Sequence, residues 1–479
     1  MSPSRTGGGG LTDEIIYLPA REMARLIRER ELSAVEVVEA HLRRLEETNP
    51  RVNAIVTLVP ERAIEEAREA DRRITRGGEV GILHGLPVVH KDLVPTRDIR
   101  TTFGSPAFRD FVPEDDALIV ERLKRAGAIT LGKSNTPEFG AGSQTFNPIF
   151  GATRNPYNLS KTCGGSSGGA AAALAAGMVP IADGSDMGGS LRNPASFCNV
   201  VGLRPSPGRV PTWPTLVPWS PLSVEGPMAR SASDVALMLA AIAGPDPRAP
   251  LSLSEPGEIF LEPLEHDFSG ARLAWSSTLG ELPVEREVLE TLEGTLGVFE
   301  EIGCTVEEAA PDFSGADEAF KVFRAFQFHL SYGELLAEHR HEMKKTVVWN
   351  IEQGARLTPD DLARAEKFRT ELYHRVRKFL DLYDFLLLPT VQVLPFDVKV
   401  EYPTEVAGEP MQTYIDWMKS CYYITVPALP AISVPGGFTP EGLPVGLQIV
   451  GRPRDEVGVL RLAHAFEQAT GFEGRRPSL

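Results

Sequence analysis

The first third of the chain alternates between helical and extended patterns of apolar residues. In several segments the apolar residues recur every three or four positions, as they do on one face of an amphipathic helix, and short apolar runs lie between these segments. Ser33 stands where it would cap the second helix, and Asn49-Pro50 stands where it would end that helix. The predicted helices are 22–30, 35–48, 61–76 and 117–126, and the predicted strands are 54–58, 86–89 and 129–131.

The pattern changes after about residue 246, where long helical segments are followed by three apolar strand segments. The helical segments are 284–302, 316–350 and 358–382, and the strand segments are 385–388, 431–434 and 446–450. Strands that alternate with helices are typical of an α/β fold. We therefore expect a central mixed, mainly parallel β-sheet flanked by helices. The stretch 246–382 is expected to form a mainly helical cap before the chain rejoins the sheet.

The composition says little about the fold, but it restricts the partners that the protein can bind. The 479 residues include 65 acidic and 49 basic side chains, and the formal net charge is −16. Such a charge opposes association with nucleic acid. No segment approaches the roughly 18–20 apolar residues that a membrane helix requires. Residues 1–12 are glycine-rich and lack the apolar core of a secretory signal, so we expect a flexible arm and a cytoplasmic protein without a membrane partner.

The thiol and imidazole groups give no sign of a metal site. Metal sites and disulfide frameworks usually show close, patterned cysteine spacing, which is absent here. His339 and His341 are two residues apart in a predicted helix, so their side chains face different sides and are expected at the surface. We expect reduced thiols and neither a metal nor a cofactor. The four scattered cysteines are Cys163, Cys198, Cys304 and Cys421.

Two clusters of glycine and serine flank a predicted alanine-rich helix at 170–176. The clusters are CGGSSGG at 163–169 and GSDMGGSLRNPA at 184–195. Glycines before a helix let backbone N–H groups point towards an anion or a developing oxyanion. A phosphate-binding loop needs Gly-Lys-Ser/Thr at the helix start, and no such lysine is present. Tight turns between buried elements are the plainer alternative, although a helix of small side chains can hold both clusters deep in the protein.

Ser190 in the second cluster requires a base if it is a nucleophile, because a serine hydroxyl is weakly nucleophilic at neutral pH. His84 and His90 lie near a predicted strand end, but neither shows the aspartate pattern of a Ser-His-Asp triad. Lys91 ends the apolar segment GLPVVHKDL. Burial lowers the pKa of a lysine, and a neutral amine accepts protons. Lys91 is therefore the other candidate for the base.

These motifs closely resemble those of the amidase signature family of serine hydrolases. The resemblance extends from about residue 13 over nearly the whole chain and is weakest at about 250–380. It implies the amidase-signature fold and a single domain over 13–479. The motifs that carry it are GLPVVHKDL, LGKSNTPEFG, GGSSGG, GSDMGGSLRNPA, VGLRPSPGRV, SVEGPMARSASDVALML, LPAISVPGGF and LPVGLQIVG.

The resemblance also implies a role for each matching residue. Lys91 matches the family's catalytic lysine, Ser166 matches its bridging serine, and Ser190 matches its nucleophile. In such enzymes the peptide bond before the bridging serine, here Gly165–Ser166, is cis. The implied relay passes a proton from Ser190 to Ser166 and from Ser166 to neutral Lys91, and an acyl-enzyme forms on Ser190. The implied oxyanion hole consists of the backbone N–H groups of Met187, Gly188, Gly189 and Ser190.

The second cluster also contains residues with an expected structural role and departures from the family pattern. Asp186 and Arg192 are expected to tie the loop together by ion pairing or hydrogen bonds. Ser185 stands where threonine is frequent, Asn193 where an apolar residue is more usual, and Asn199 where glycine is common. The two asparagines affect the expected loop geometry, but no departure removes a residue of the triad.

Three functions are compatible with these residues. The first is hydrolysis of the C–N bond of an amide by the chain alone. The second is the glutaminase subunit of a tRNA-dependent amidotransferase, although 211–227 lacks the acidic residue expected there for recognition of the α-amino group of glutamine. The third is a non-catalytic binding module, against which the intact set of Lys91, Ser166 and Ser190 argues.

The loop residues favour neutral, partly aromatic substrates, because several aromatic side chains lie in irregular segments that can border a cleft. We expect a small-molecule substrate, either an aryl amide or an N-aryl carbamate, and a monomer or homodimer. The candidate substrate-binding residues are Thr136, Phe139, Gly140, Gly142, Arg209, Trp213 and Trp417.

Overall fold

A computed structural model describes residues 15–479, so the arm predicted at 1–12 lies outside the described residues. Most helices and strands lie close to the predicted segments. The α-helices are α1 (Ala20–Arg28), α2 (Ala34–Val52), α3 (Pro60–Thr75), α4 (Leu118–Arg125), α5 (Gly168–Ala175), α6 (Arg192–Phe197), α7 (Ala232–Ile242), α8 (Arg286–Glu293), α9 (Gly297–Glu301), α10 (Ala316–His339), α11 (Lys345–Ala355), α12 (Pro359–Leu380), α13 (Lys419–Thr425) and α14 (Glu456–Thr470).

The strands form one large sheet and three separate two-stranded sheets. They are β1 (Ile55–Leu58), β2 (Pro87–Lys91), β3 (Ile129–Ser134), β4 (Phe146–Asn147), β5 (Gly151–Ala152), β6 (Arg154–Asn155), β7 (Asn158–Thr162), β8 (Ile181–Asp186), β9 (Val201–Arg204), β10 (Val224–Ala229), β11 (Arg272–Trp275), β12 (Thr305–Glu308), β13 (Phe385–Pro389), β14 (Glu405–Val406), β15 (Glu409–Pro410), β16 (Ala431–Phe438) and β17 (Pro444–Val450).

Helix α2 shows how local sequence sets the ends of an element. The Ser33 hydroxyl accepts the N–H of Glu36 at 3.1 Å, and the Glu36 carboxylate accepts the N–H of Ser33 at 2.9 Å, which is a capping box. The predicted stop at Asn49-Pro50 is wrong, because Pro50 lies inside the last turn. Asn53 ends the helix instead, with a left-handed φ of 58°, a conformation that asparagine tolerates.

The core is an 11-stranded mixed sheet in the order β1-β3-β2-β8-β10-β9-β16-β17-β13-β11-β12. Strands β3, β2 and β8 are parallel to one another, and so are β13, β11 and β12. The other neighbours pair antiparallel. The predicted α/β fold with a mixed sheet is confirmed. The parallel pairs therefore lie towards the two ends of the sheet. The central neighbours are antiparallel, as in the β16–β17 hairpin, in which a short turn joins consecutive strands.

Both faces of the sheet are buried around β2. Val88 packs in one apolar cluster and Val89 packs in another, since alternate side chains of a strand point to opposite faces. A strand covered on both faces has no solvent-exposed position at its centre. The burial continues to the last residue of β2, Lys91, which has no exposed surface.

The stretch 246–382 is less uniformly helical than predicted. It contributes β11 and β12 to one edge of the sheet, and each of these strands has only 4 residues, too few to show a clear period. The helix predicted over 284–302 is interrupted near Gly294 between α8 and α9. The helix predicted over 316–350 is likewise divided into α10 and α11, and α10 packs against both α11 and α12.

Helix α5 is buried along its whole length and contacts β2, β3, β8 and β10. Its small side chains permit this close packing. At Gly169 a Cβ atom would lie 2.3 Å from the backbone nitrogen of Asn135, so no larger residue fits without displacing that backbone. Helix α5 therefore holds the first glycine-serine cluster against the ends of β2 and β8.

Membrane-spanning helices, disulfide bonds and metal-binding clusters are absent from residues 15–479. No helix within 15–479 is long and apolar enough to cross a membrane. All four cysteines are buried and free of disulfide bonds. Across the same residues there is no group of three or more His, Cys, Asp or Glu side chains that could hold a metal ion. His339 is the last residue of α10 and is partly exposed, and His341 lies beyond the helix and is exposed.

Candidate active site

Three serine hydroxyls surround the amino group of Lys91. Its Nζ atom lies 2.7 Å from Ser166 Oγ and 3.0 Å from the Oγ atoms of Ser167 and Ser185. An ammonium group can only donate hydrogen bonds, whereas a neutral amine donates two and accepts one. Three hydroxyl neighbours satisfy either form. The arrangement therefore allows Lys91 to exchange a proton with a serine.

Burial lowers the pKa of Lys91 to about 7, because the ammonium form loses its hydration. The acidic side chains of Asp186, Asp183 and Glu225 act in the opposite direction and favour the charged form. A large fraction of Lys91 is thus a neutral amine near pH 7. A strongly shifted pKa beside a cavity is typical of a residue with a chemical role.

His90 is held away from any role as the base of Ser190. Its Nδ1 lies 2.5 Å from Asp183 Oδ2, and its Nε2 lies 3.0 Å from the hydroxyl of Thr130. The other carboxylate oxygen of Asp183 accepts the backbone N–H of Lys91 at 2.8 Å. His90 and Asp183 therefore fix the backbone end of β2 and leave Lys91 as the titratable group beside the serines.

A cavity of about 290 Å³ opens beside this cluster. Ser166, Ser185 and Ser190 line it, as do the predicted substrate-binding residues Phe139 and Gly140. The structure thus brings the two predicted catalytic serines into one cavity, with Lys91 directly behind Ser166. The peptide bond between residues 165 and 166 is cis, as the family resemblance implies.

A buried ion cluster fixes the second glycine-serine loop. The Asp186 carboxylate lies 2.9 Å from Arg192 Nη2 and 3.2 Å from Arg204 Nη1, and none of the three side chains is exposed. Burial opposes ionisation, but the two guanidinium groups hold the pKa of Asp186 below its usual range. Asp186 also accepts the N–H groups of Gly189 and Leu191 at 2.9 and 3.1 Å. The ion cluster therefore orients the loop backbone.

This geometry corrects the predicted set of oxyanion donors. The N–H of Gly189 already donates to Asp186, so it is not available for an oxyanion. The N–H groups of Met187, Gly188 and Ser190 have no acceptor within 15–479. Gly189 is required for shape instead: its φ is +114°, and a Cβ there would lie 2.6 Å from Cys421 Cβ.

Trp417 and Arg209, two of the predicted substrate-binding residues, are placed elsewhere. Trp417 is 1% exposed and packs against the rings of Phe197 and Phe396, with centroids 6.4 and 5.4 Å away. Arg209 Nε lies 3.0 Å from Glu456 Oε2. The indole belongs to the apolar core, and the guanidinium is occupied by an ion pair, so neither residue lines the cavity.

Trp213, Thr136 and Gly142 also lie outside the cavity lining. The Trp213 ring stacks against the guanidinium of Arg248 at 4.8 Å, although the residues on either side of it in the sequence line the cavity. Thr136 is buried, and its hydroxyl donates to the carbonyl of Pro137 at 3.3 Å. Of the predicted substrate-binding residues, Phe139 and Gly140 therefore line the cavity, and the other five do not.

Helix α10 forms a wall of the cavity that the sequence did not predict. Its cavity-lining residues are spaced three and four apart, as expected for one face of a helix. A signal was present, because arginine and glutamine interrupt an otherwise aromatic and apolar helix face. The lining residues are Arg324, Gln327, Phe328, Ser331 and Tyr332.

Glu225 is a second residue that the sequence analysis missed. It lines the cavity from β10, and its Oε2 atom is shielded from solvent with no hydrogen-bond partner among the described residues. Burial and the neighbouring Asp183 raise the pKa of Glu225 to about 8. The signal was an acidic residue in the motif SVEGP. This motif lies within 211–227, the segment in which no acid for recognition of an α-amino group was expected.

The two asparagine departures have structural explanations. Asn199 has a φ of 51°, in the left-handed region where glycine is common and asparagine is tolerated. Asn193 donates from Nδ2 to the hydroxyl of Ser143 at 2.8 Å. Asn193 therefore supports the loop that carries Ser190, whereas the Asn199 side chain donates to the carbonyl of Phe472 at 2.9 Å in the C-terminal segment.

Comparison with known proteins identifies the family. The profile of the Amidase family matches residues 36–460. The chain belongs to the amidase family. The predicted family is therefore confirmed, and this amidase is an amide-hydrolysing enzyme.

The amidase is similar to relatives along nearly its whole length. It is 37% identical over 465 residues to an acylamidase of Rhodococcus erythropolis, covering 96% of the chain and 97% of the relative. It is 36% identical over 490 residues to one subunit of the glutamyl-tRNA(Gln) amidotransferase of Moorella thermoacetica, covering 97% and 99%. The crystal structure of a bacterial aryl acylamidase of the amidase signature family superposes with a TM-score of 0.91 at 29% identity, covering 97% and 100%.

Proposed function

We propose that this amidase hydrolyses aryl amides through an acyl-enzyme on Ser190, with Lys91 as the base and Ser166 as the proton carrier between them. The observation that carries the proposal is the 2.7 Å contact between Lys91 Nζ and Ser166 Oγ beside a cavity that Ser190 also lines. The pKa of Lys91, about 7, supports it, because a base works best when its pKa is near the operating pH.

Acylation begins when Ser190 Oγ attacks the carbonyl carbon of the amide. The Ser190 proton passes to Ser166 Oγ, and the Ser166 proton passes to Lys91 Nζ. Backbone N–H groups of Met187, Gly188 and Ser190 bind the negative charge that develops on the carbonyl oxygen. The C–N bond then breaks as the proton returns through Ser166 to the leaving amine. Water attacks the resulting ester through the same relay and releases the acid and free Ser190.

The aromatic wall of the cavity supports an aryl substrate. Phe139 and Tyr332 have ring centroids 4.4 Å apart, and Phe328 lies 5.6 Å from Tyr332. Flat apolar walls favour a planar ring through area burial and stacking. The names of two similar proteins, an acylamidase and an aryl acylamidase, support the same substrate class.

N-aryl carbamates are the second substrate class that we propose. Attack on their carbonyl carbon and departure of an aniline follow the same steps as in an anilide. The alkoxy oxygen donates electrons into the carbonyl, so the attack by Ser190 is expected to be slower than on the matching anilide. The oxyanion donors meet the same developing charge in both cases.

The similarity to amidotransferase subunits supports an alternative, in which the chain is a glutaminase that works with partner subunits. The carboxyl group of Glu225 in the cavity is also suited to an α-amino group. The two functions differ in what the isolated chain does. An autonomous amidase, whether monomer or homodimer, turns over anilides alone, whereas an amidotransferase subunit requires companions to hydrolyse glutamine.

The decisive experiment assays the purified chain alone on 4-nitroacetanilide, ethyl N-phenylcarbamate and glutamine. We expect hydrolysis of the anilide, slower hydrolysis of the carbamate and no activity on glutamine. Glutamine hydrolysis that appears only with added partner subunits, together with inactivity on all anilides, would establish the alternative.

A fluorophosphonate probe tests the nucleophile separately. Wild type should be labelled once, and Ser190→Ala should be neither labelled nor active. Ser331→Ala is the matched control, because Ser331 also lines the cavity but lies on α10, away from Lys91. Labelling that persists in Ser190→Ala with retained activity would contradict the assignment.

A further inference from the structure

Arg324 is a buried cation in the cavity wall that lacks an anionic partner. It lies on α10, is 4% exposed and lines the cavity with Ser190. Among the described residues, no carboxylate oxygen lies within 4.0 Å of its guanidinium nitrogens, and its Nε atom has no hydrogen-bond acceptor. This is unusual in a chain that carries 65 acidic residues.

The groups that Arg324 contacts are uncharged: a thioether sulfur, a hydroxyl and two aromatic rings. Its Nη1 lies 3.2 Å from the Met187 sulfur, and its Nη2 donates to the Tyr414 hydroxyl at 2.8 Å. Its guanidinium carbon lies 4.5 Å from the centre of the Phe328 ring and 5.8 Å from that of Tyr414. These contacts hold the guanidinium plane in position without neutralising its charge.

Other ionisable groups around the cavity do not supply the missing charge. Lys344 is a second cation close enough to Arg324 for the two charges to repel each other, and its Nζ atom lies 3.6 Å from Glu401 Oε1. Glu225 lines the same cavity, but it forms no ion pair with Arg324, and burial raises its pKa to about 8. The cavity therefore presents a net positive group at α10 near neutral pH.

A buried charge without a counterion is costly, because it loses hydration and gains no compensating ion pair. Protein folding alone gives no reason to keep such a group facing a cavity. An incoming anion removes this cost, and the planar fork of a guanidinium fits a carboxylate through two parallel hydrogen bonds. Because Arg324 lines the cavity and no carboxylate of the described residues pairs with it, a substrate carboxylate can approach the guanidinium from the cavity.

We propose that Arg324 is a specificity-determining residue that binds a carboxylate group carried by the substrate, so that the preferred amides are anionic ones. The inference rests on the proposed amidase function and names its substrate class more closely. Gln327, one turn further along α10, has an unpartnered Oε1 atom in the same wall. Its amide is uncharged, so Gln327 adds no competing charge to the wall.

The test compares matched pairs of acidic and neutral substrates. On the acyl side, glutaryl 4-nitroanilide is paired with hexanoyl 4-nitroanilide; on the amine side, 4-acetamidobenzoate is paired with 4-acetamidobenzamide. We expect wild type to prefer the acid over its neutral partner in one of the two pairs by about tenfold or more in kcat/KM, chiefly through KM. The pair that shows the preference identifies which side of the scissile bond faces Arg324.

Variants separate charge recognition from a structural role. Arg324→Gln should abolish the preference, because kcat/KM for the acid should fall much further than kcat/KM for its neutral partner, and Arg324→Lys should restore part of the preference because the charge remains. Arg369→Gln is the matched control: Arg369 also stacks on a phenylalanine of α10, at 4.5 Å from Phe323, but pairs with Glu366 and lies outside the cavity lining. It should leave the preference unchanged.

The inference is overturned if wild type prefers neither acid, or if Arg324→Gln weakens acidic and neutral substrates equally, as a role limited to holding Met187 would predict. Protection of Ser190 from fluorophosphonate labelling provides a readout that does not need turnover. Glutarate or 4-acetamidobenzoate should protect wild type and not Arg324→Gln. If no anilide is hydrolysed but this protection is seen, the proposed substrate class fails while the carboxylate site stands.

Discussion

Glu225 on β10 lies directly opposite Ser185 on β8, and the Ser185 hydroxyl is 3.0 Å from the amino group of Lys91. Directly opposed residues of an antiparallel pair have neighbouring side chains. The sheet register therefore places a second titratable group beside the proposed base. Lys91 and Glu225 have pKa values of about 7 and about 8, so both change protonation in the same pH range and influence each other.

The first prediction concerns the pH dependence of wild type. Acylation needs neutral Lys91, and the neutral form predominates only above its pKa of about 7. The value of kcat/KM for a neutral anilide should therefore fall as the pH decreases through about 7. A pH–rate profile with an uncharged substrate measures this. A profile that is flat from pH 9 to pH 5 would contradict a lysine base.

The second prediction is that Glu225→Gln moves this acid limb to lower pH. The ionised fraction of Glu225 favours the charged form of Lys91, so its removal should lower the pKa of the lysine. The shift should be small, because Glu225 has a pKa of about 8 and is ionised only in part near pH 7. Comparison of the two pH–rate profiles gives the shift. Glu255→Gln is the control, because Glu255 is a half-exposed acid that pairs with Arg209 and does not line the cavity. An unshifted limb in Glu225→Gln would show that the two groups are not coupled.

The third prediction is that Lys91→Ala reduces kcat/KM by about 10⁴-fold, as loss of a member of a catalytic triad does elsewhere. Lys91→Arg should not restore activity, because a guanidinium remains protonated and cannot serve as a base. Single-turnover assays with 4-nitroacetanilide measure the loss in the acylation step. Substantial activity in Lys91→Arg would exclude proton abstraction by residue 91. Chelating agents are expected to leave wild-type activity unchanged.

The sequence predicts Lys91 well because its position violates a general rule. A charged residue that ends a strand buried on both faces is costly, and such a cost is visible in the run GLPVVHKDL without any structure. The same argument predicts that helix α5 is buried, because its residues are almost all glycine and alanine. The local sequence is therefore sufficient to predict a residue's position when one short segment combines a buried pattern with a side chain that is unusual in such a pattern.

The cavity wall was harder to predict because it depends on contacts between distant segments. Trp417 and Arg209 have residue types that suit a binding site, but tertiary packing puts one in the core and pairs the other with Glu456. Arg324 lies about 130 residues from Ser190 in the sequence, within a helix whose pattern indicates only an amphipathic face. Its position beside the cavity follows from how α10 packs against α11, α12 and α13, which no local period specifies.

The last prediction concerns the ion cluster that orients the proposed oxyanion loop. Asp186→Asn keeps the size of the side chain but leaves Arg192 and Arg204 as buried cations without their shared carboxylate. Loss of one partner from a buried ion pair typically lowers the free energy of unfolding by about 3–5 kcal/mol. We therefore expect a clear decrease in melting temperature and in the urea midpoint of unfolding.

Asp186→Asn should also decrease activity at temperatures where the variant remains folded. The carboxylate accepts the N–H groups of Gly189 and Leu191 on either side of Ser190, so a weaker acceptor there loosens the backbone that binds the oxyanion. Glu290→Gln is the control for the loss of an ion pair, because its pair with Arg286 is well exposed and such pairs contribute little. If Asp186→Asn and Glu290→Gln have equally small effects on melting, the buried cluster does not stabilise the loop. If Asp186→Asn is destabilised but fully active, the cluster supports the fold without setting the geometry of the oxyanion donors.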